Sequence, residues 1–451
     1  MIAHSKGLFS NRKLISMLIP VIMESVMASL VGMVDGVMVS SVGEAAISGV
    51  ALIGNLNGVM VQLFACLSAG GAIVTSQFIG ARKIESARHS TGQLILMALT
   101  VSSFLAVFAL TFARPLLMFC FGKTEPEVMD NAVIYFKILA FSYPFLALRG
   151  AGGAIFRCSG NTKVSLYVSL VVNAVNIAGN AVCIYGLGMG VEGVAIPTLL
   201  SRMVGAGMVM LLMNRSQKIV RPAWSDVTHI HKQIIAKIFR LGMPTALEGS
   251  LFQLGKVGTL SMISGFGTYQ IAANSIGGTL SYFSGIPSEA AATVAMTVVG
   301  QCVGAKEVEQ IKSNTRKLML WAHICTSVVA VVMILLRYQI LGLYVSLSPE
   351  GVELTANLML LYLSVAPFLY PPSFFIRGPL RAANDSAYTM WVGVGSMMVV
   401  RIGLAYILCV VMHMGAMGVW IAMVSDWASR SMLFGIRWVR GKWKTKCGLE
   451  G

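Results

Sequence analysis

The sequence predicts an all-α polytopic membrane protein, with twelve transmembrane helices in two pseudo-symmetric six-helix bundles. Three observations carry that expectation. Of 451 residues, 56% are hydrophobic and only 12% charged, with a mean hydropathy of +0.77, a balance outside that of soluble domains. Apolar runs of roughly 20 residues, enough to cross about 30 Å of hydrocarbon, recur along the whole length. The chain also repeats itself. A shift of 224 residues lays Pro20 on Pro244, Glu24 on Glu248, Met38 on Met262, Ser40 on Ser264, Gly43 on Gly267, Ile47 on Ile271 and Gly54 on Gly278. The register persists at Gln77 and Gln301, at Arg157 and Arg381, and at Gly179 and Gly403. Internal symmetry of this kind in an apolar chain is the usual mark of a transporter.

The apolar runs fall near 14–39, 47–76, 91–113, 131–155, 164–185 and 191–213, then 239–263, 272–300, 318–344, 355–376, 388–412 and 415–436. Six crossings return the chain to its starting side, so both repeats enter the bilayer in the same direction. This gives an N-terminal bundle over 1–213, a cytoplasmic linker over 214–238, and a C-terminal bundle with a basic tail over 239–451. Ile230, Ile234, Ile235, Ile238 and Phe239, with Lys and Gln between them, read either as a short amphipathic helix on the inner surface or as a plain connecting helix. Tyr143-Pro144 and Tyr370-Pro371-Pro372 are expected to kink spans four and ten, because proline removes a helix hydrogen bond.

The net charge of +16 is explained by its placement rather than by a nucleic-acid partner. Lys and Arg collect before span one, after spans two and four, between spans six and seven, and after spans eight, ten and twelve. The loops over 41–45, 186–192 and 264–270 carry none. Arg114 with Lys123, and Arg337, fall in the two longer alternate loops and fit less cleanly. The alternation is the positive-inside rule, and it places both termini in the cytoplasm. The first apolar run is too long for a signal-peptide core and is expected to stay as a span. The eight Cys are scattered singly, which suits small core residues better than a disulfide framework or a zinc site. His229 and His231 point apart on a helix and make a poor metal pair. Neither H-E-x-x-H nor a P-loop occurs, so no enzyme and no organic cofactor is expected.

The run L-I-P-V-I-M-E-S-V-M-A-S-L-V-G-M-V-D-G-V-M-V from Leu18 resembles the opening helix of multidrug and toxic compound extrusion (MATE) transporters, with its proline and later intramembrane aspartate. V-G-E-A-A-I-S-G-V from Val42, S-Q-F-I-G-A-R-K from Ser76, F-R-C-S-G-N-T-K from Phe156 and the segment 241–267 are similar to the same family. The resemblance covers nearly the whole chain. It implies a secondary transporter in a bacterial inner membrane that exports cationic or amphipathic organic compounds, a monomer among membrane lipids, exchanging substrate for H⁺ or Na⁺. The alternative is a lipid-linked oligosaccharide flippase of the same superfamily. Those proteins often carry two further spans and conspicuous basic residues in their cavity, and the sequence reads as having neither.

Ionisable residues inside spans are the candidate chemistry. An aspartate at mid-helix costs about 2.5–3.5 kcal/mol even on the lenient insertion scale, so it faces a cavity or a partner. Asp35 matches the family's cation-coupling aspartate. Glu24 lies eleven residues earlier, within roughly 20° of the same helix face and about 16 Å away, as a path residue or as half of an ion pair. Asn176 and Asn180 stand one turn apart on one face. They fall where the archaeal-type branch has an asparagine and then an aspartate, so one acid of that site is absent and protons are favoured over Na⁺ at Asp35. Thr198 matches a hydroxyl of the same pocket; packing between helices is the other role for these three groups.

The second repeat differs. Thr259 stands at the place of Asp35 and Lys256 at that of Gly32, while Glu248 and Lys256 are read as lining one wall. Gln253 joins Glu24, Glu248 and Lys256 as pathway or substrate-binding candidates. Arg401 and Asp426 are read as a buried ion pair.

Overall fold

The computed structural model describes residues 8–42, 44–122, 125–216, 220–344 and 347–448. Gly43, Lys123 and Lys218, and the side chains of Ser40 and Ile47, lie outside what it describes. Among the described residues every regular element is a helix. The first half runs α1 (Asn11–Ser40), α2 (Glu44–Gly80), α3 (Ile84–Thr111), α4 (Ala113–Phe121), α5 (Pro126–Phe141), α6 (Tyr143–Cys158), α7 (Thr162–Ala181) and α8 (Glu192–Arg215), then the short α9 (Trp224–Thr228). The second runs α10 (Lys232–Ser264), α11 (Thr268–Gly304), α12 (Val308–Leu341), α13 (Pro349–Phe374), α14 (Arg377–Ala382), α15 (Ser386–Gly395), α16 (Gly403–Ala405), α17 (Gly415–Val439) and α18 (Trp443–Lys446). π-helical turns extend α7 through Gly186 and flank α16.

Nine of these segments are long and apolar enough to cross a membrane, and α5 with α6 forms a tenth span bent by 45°. The bend falls at Ser142, just before Pro144, where the sequence places it. Helices α10 and α17 bring the spans to the twelve that the sequence predicts. They are less apolar than the other ten because α10 carries Lys237, Arg240, Glu248 and Lys256, and α17 carries Asp426, Arg430 and Arg437. Large apolar side chains such as Val37, Phe104, Leu335 and Val399 are exposed, as lipid-facing residues are in a solvent that offers no hydrogen bonds.

The chain forms two compact units, Ile15–Ala246 and Leu247–Gly451 with the first fourteen residues. In the first, α2 packs on α3, α5 and α6, and α7 packs on α8. In the second, α11 packs on α12 and α13, and α13 on α17. With 78% of its most apolar window buried, α11 is the central helix of that unit. Tyr362 meets Trp427 edge-on at 4.8 Å, and Tyr370 stacks on Phe374 at 4.1 Å, to form its aromatic core.

The units divide inside α10 rather than in the polar stretch 214–238, and side-chain contacts explain why the connector stays with the first unit. Gln93 Nε2 donates to the carbonyls of Asp226 and His229, both at 2.8 Å, and Gln93 Oε1 accepts from the His231 amide. Lys237 Nζ donates to Gln77 Oε1 at 2.8 Å. Gly92 lies so close to the Asp226 backbone that a Cβ would not fit. The amphipathic stretch Ile230–Phe239 is not a separate surface helix. From Lys232 it forms the first turns of α10, where Ile238 is fully buried, and no helix breaker separates it from the span; the free-standing short helix is α9.

Candidate functional site: a carboxylate held by amides in the first unit

Asp35 sits on α1, half-buried, facing α7 and α8. Asn180 Nδ2 donates to its Oδ1 at 2.9 Å. Asn176 bridges the carboxylate and Thr198: with its amide nitrogen facing Asp35 it donates to both oxygens, at 3.0 and 3.1 Å, and its oxygen accepts from Thr198 Oγ1 at 3.2 Å. That orientation is the one that satisfies every partner. Asp35, Asn176, Asn180 and Thr198 are therefore brought together as the sequence predicts.

The backbone allows this because Gly179, between the two asparagines, faces Pro197: a Cβ there would lie 2.8 Å from the proline ring. Thr198 follows directly, and its one hydroxyl proton is shared between the Asn176 oxygen and the Val194 carbonyl, 3.0 Å away. The result is one negative charge, two amides and one hydroxyl, with Asn180 buried and its Oδ1 lacking a hydrogen-bond partner. Among the described residues no three His, Cys, Asp or Glu side chains cluster as metal ligands. A single carboxylate among neutral oxygens can hold a proton.

Glu24, on the same helix, has a different environment. Ser165 donates to both its oxygens at 2.9–3.0 Å, Ser169 donates at 3.0 Å, and Arg157 lies 4.0 Å away. Arg157 also donates to Ser165 at 2.8 Å. These residues and Arg149 line a cavity of about 120 Å³, room for a few waters. The ion-pair reading of Glu24 thus describes its geometry.

The second unit repeats this arrangement in the same register. Glu248 accepts from Arg381 at 2.7 Å, and Arg381 Nε donates to Thr389 at 3.3 Å. A shift of 224 residues maps Glu24, Arg157 and Ser165 onto Glu248, Arg381 and Thr389. The copy is more buried and more elaborate. Arg377, at the place of Gly153, binds Glu289 at 2.7 and 2.9 Å and lies 3.7 Å from Glu248. Sequence reasoning aligned the glutamates and arginines without joining them as pairs, and missed Arg149, Ser165, Ser169, Glu289 and Thr389. The signal available was the matched hydroxyl eight residues after each arginine.

Two readings of the second unit change. Glu248 turns to Arg381 rather than forming a wall with Lys256, whose ammonium lies 5.2 Å from the Phe252 ring centroid. Asp426 pairs with Arg430, one helical turn along α17, at 2.9 Å, not with Arg401; the i, i+4 spacing gives this pair the shorter reach. Basic residues are conspicuous inside the spans: Arg149 and Arg202 in the first unit, and Arg381, Arg401 and Arg430 in the second, the last three at most 9% exposed. Thr259, at the position of Asp35, is buried and donates only to its own helix, at the Lys256 carbonyl. Gln253 is exposed on α10.

The MatE family model matches residues 20–182 and 244–407, one copy in each half. The chain is 25% identical over 444 residues to the uncharacterized transporter YisQ of Bacillus subtilis, covering 96% of this chain and 95% of that protein. It is 24% identical over 449 residues to the probable multidrug resistance protein NorM of Thermotoga maritima, covering 97% and 94%. Among solved structures, an outward-facing multidrug resistance MATE family transporter superposes with a TM-score of 0.89 at 20% identity, over 96% of each chain. With a match in each repeat and full-length relatives of the same architecture, the chain belongs to the MatE family of integral membrane transporters.

Proposed function

We propose that this protein is a secondary active multidrug exporter, which expels amphipathic organic compounds, cationic ones among them, in exchange for protons taken up at Asp35. The observation that carries the reading is the half-buried Asp35 carboxylate, bonded by Asn180 and Asn176 and linked through Asn176 to Thr198. An ionised carboxylate only accepts hydrogen bonds, whereas a protonated one also donates. A proton on Oδ2 therefore displaces the Asn176 amide from that oxygen while Asn180 keeps its bond to Oδ1, which couples the charge state of α1 to the contacts it makes with α7. The multidrug resistance names of full-length relatives support the substrate class. In this reading both termini are cytoplasmic and access alternates between the two sides of the membrane.

The test is transport of ethidium into and out of liposomes holding the purified protein, under an imposed proton gradient and separately under an imposed sodium gradient. Proton-driven movement that is insensitive to sodium is expected. Movement driven by sodium alone overturns proton coupling.

A further inference from the structure

We infer that the second unit carries a binding site for the anionic head of an amphipathic molecule, formed by Lys256, Arg401 and Arg430 around Phe252. The inference rests on the exporter reading and extends its substrate class to organic anions and zwitterions. The Lys256 ammonium and the Arg401 and Arg430 guanidinium carbons lie 5.2, 5.4 and 5.1 Å from the centroid of the one Phe252 ring. Three cations on three helical segments thus converge on a single aromatic ring.

Their acidic counterparts are fewer. Arg430 has partners of its own: its Nε donates to Ser396 at 2.7 Å and Asp426 at 2.9 Å, and its Nη2 to the Gly393 carbonyl at 3.3 Å. Asp426 is the one carboxylate among the described residues that forms an ion pair in this group, and that pair is with Arg430. Neither Lys256 nor Arg401 forms an ion pair with a described residue. Arg401 is 6% exposed and its Nε has no hydrogen-bond partner among the described residues. A cation–π contact with Phe252 recovers less than a buried guanidinium loses with its water. The neighbouring arginines do not share this imbalance, because Arg377 and Arg381 face Glu248 and Glu289, two charges against two.

Access is open on one side. Lys256 and Gln253 are exposed on α10, so a head group can reach Lys256 first and Arg401 behind it, while an apolar body lies against Phe252. A carboxylate, sulfonate or phosphate suits this geometry, since a guanidinium binds such groups through two parallel hydrogen bonds. A soluble organic anion and a lipid phosphate both present such a head.

The experiment measures binding of fluorescein, an anion, and rhodamine 6G, a cation on the same ring system, to the full-length protein in phosphatidylcholine nanodiscs. Fluorescein binding that falls at least tenfold in both Lys256→Gln and Arg401→Gln, and returns in Lys256→Arg, is expected. The exposed Lys256 variant carries the test if Arg401→Gln does not fold. Wild-type fluorescein affinity in Lys256→Gln, or no fluorescein binding at all, overturns the site. Adding phosphatidylglycerol separates the sources: displacement of fluorescein that requires Lys256 assigns the site to a lipid phosphate, and no displacement assigns it to soluble anions. Proton-driven rhodamine 6G transport without fluorescein binding would reject this inference alone and leave the exporter reading standing.

Discussion

At Glu248 and Glu24 the same motif meets two degrees of burial, and its energetic weight differs accordingly. The Glu248 and Arg381 side chains are 7% and 11% exposed at 2.7 Å, against 22% and 23% at 4.0 Å for Glu24 and Arg157. Removing one partner of a buried pair costs about 3–5 kcal/mol, because the other charge is left unpaired, whereas more exposed pairs contribute about 0–1 kcal/mol. Arg381→Ala is therefore expected to lower the unfolding temperature in detergent far more than Arg157→Ala, and equal shifts would show that burial does not set their weight. The residues around Asp35 were legible because Asn176 and Asn180 share a helix face and the family pattern marks the aspartate. The Arg430 partner of Asp426 was equally available from its i, i+4 spacing. The wider arginine network was not, since which distant helices bring Arg377 to Glu289 or Arg157 to Ser165 depends on packing that spacing within one helix does not encode.

Between helices, small residues set the distances on which the Asp35 site depends. Gly179→Ala places a methyl 2.8 Å from the rigid Pro197 ring, and overpacking of this kind costs about 1–3 kcal/mol. Because Thr198 follows Pro197, the expected outcome is a modest loss of thermal stability with a larger loss of transport. A variant that transports normally would show that α7 and α8 need not be so close. The connector offers a second case. Gly92→Val drives a side chain into the Asp226 backbone, displacing α9 from α3 and breaking the Gln93 bonds to Asp226 and His229. Faster proteolysis near residue 226 is expected, and unchanged cleavage would show that α9 is held by other contacts. Continuity of α10 was the feature hidden from the sequence: a polar amphipathic start and an apolar span look like two elements, yet nothing between Lys232 and the span ends the helix.

Over the whole molecule, duplication and charge placement carry most of the architecture. The repeat gives six helices per half, and the apolar runs mark all twelve spans, α10 and α17 less strongly because they carry the interior charges of the Glu248 and Asp426 ion pairs. Orientation follows from the charge alternation and has its own test. Ser225 is exposed on α9, so a cysteine there, in a Cys-depleted variant, is expected to react with an impermeant thiol reagent only from the cytoplasmic side. Labelling from outside would reverse the proposed topology.

The two halves share the glutamate and arginine pair but not the carboxylate, since Thr259 replaces Asp35. Proton coupling is accordingly assigned to the first unit alone. The most direct measurement compares wild type, Asp35→Asn and Thr259→Ala in liposomes under an imposed proton gradient, recording ethidium transport together with internal pH. Asp35→Asn should insert and fold but lose both gradient-driven transport and the accompanying proton flux, while Thr259→Ala keeps most of each. Transport by Asp35→Asn at the wild-type rate with its proton flux intact would contradict the role given to Asp35.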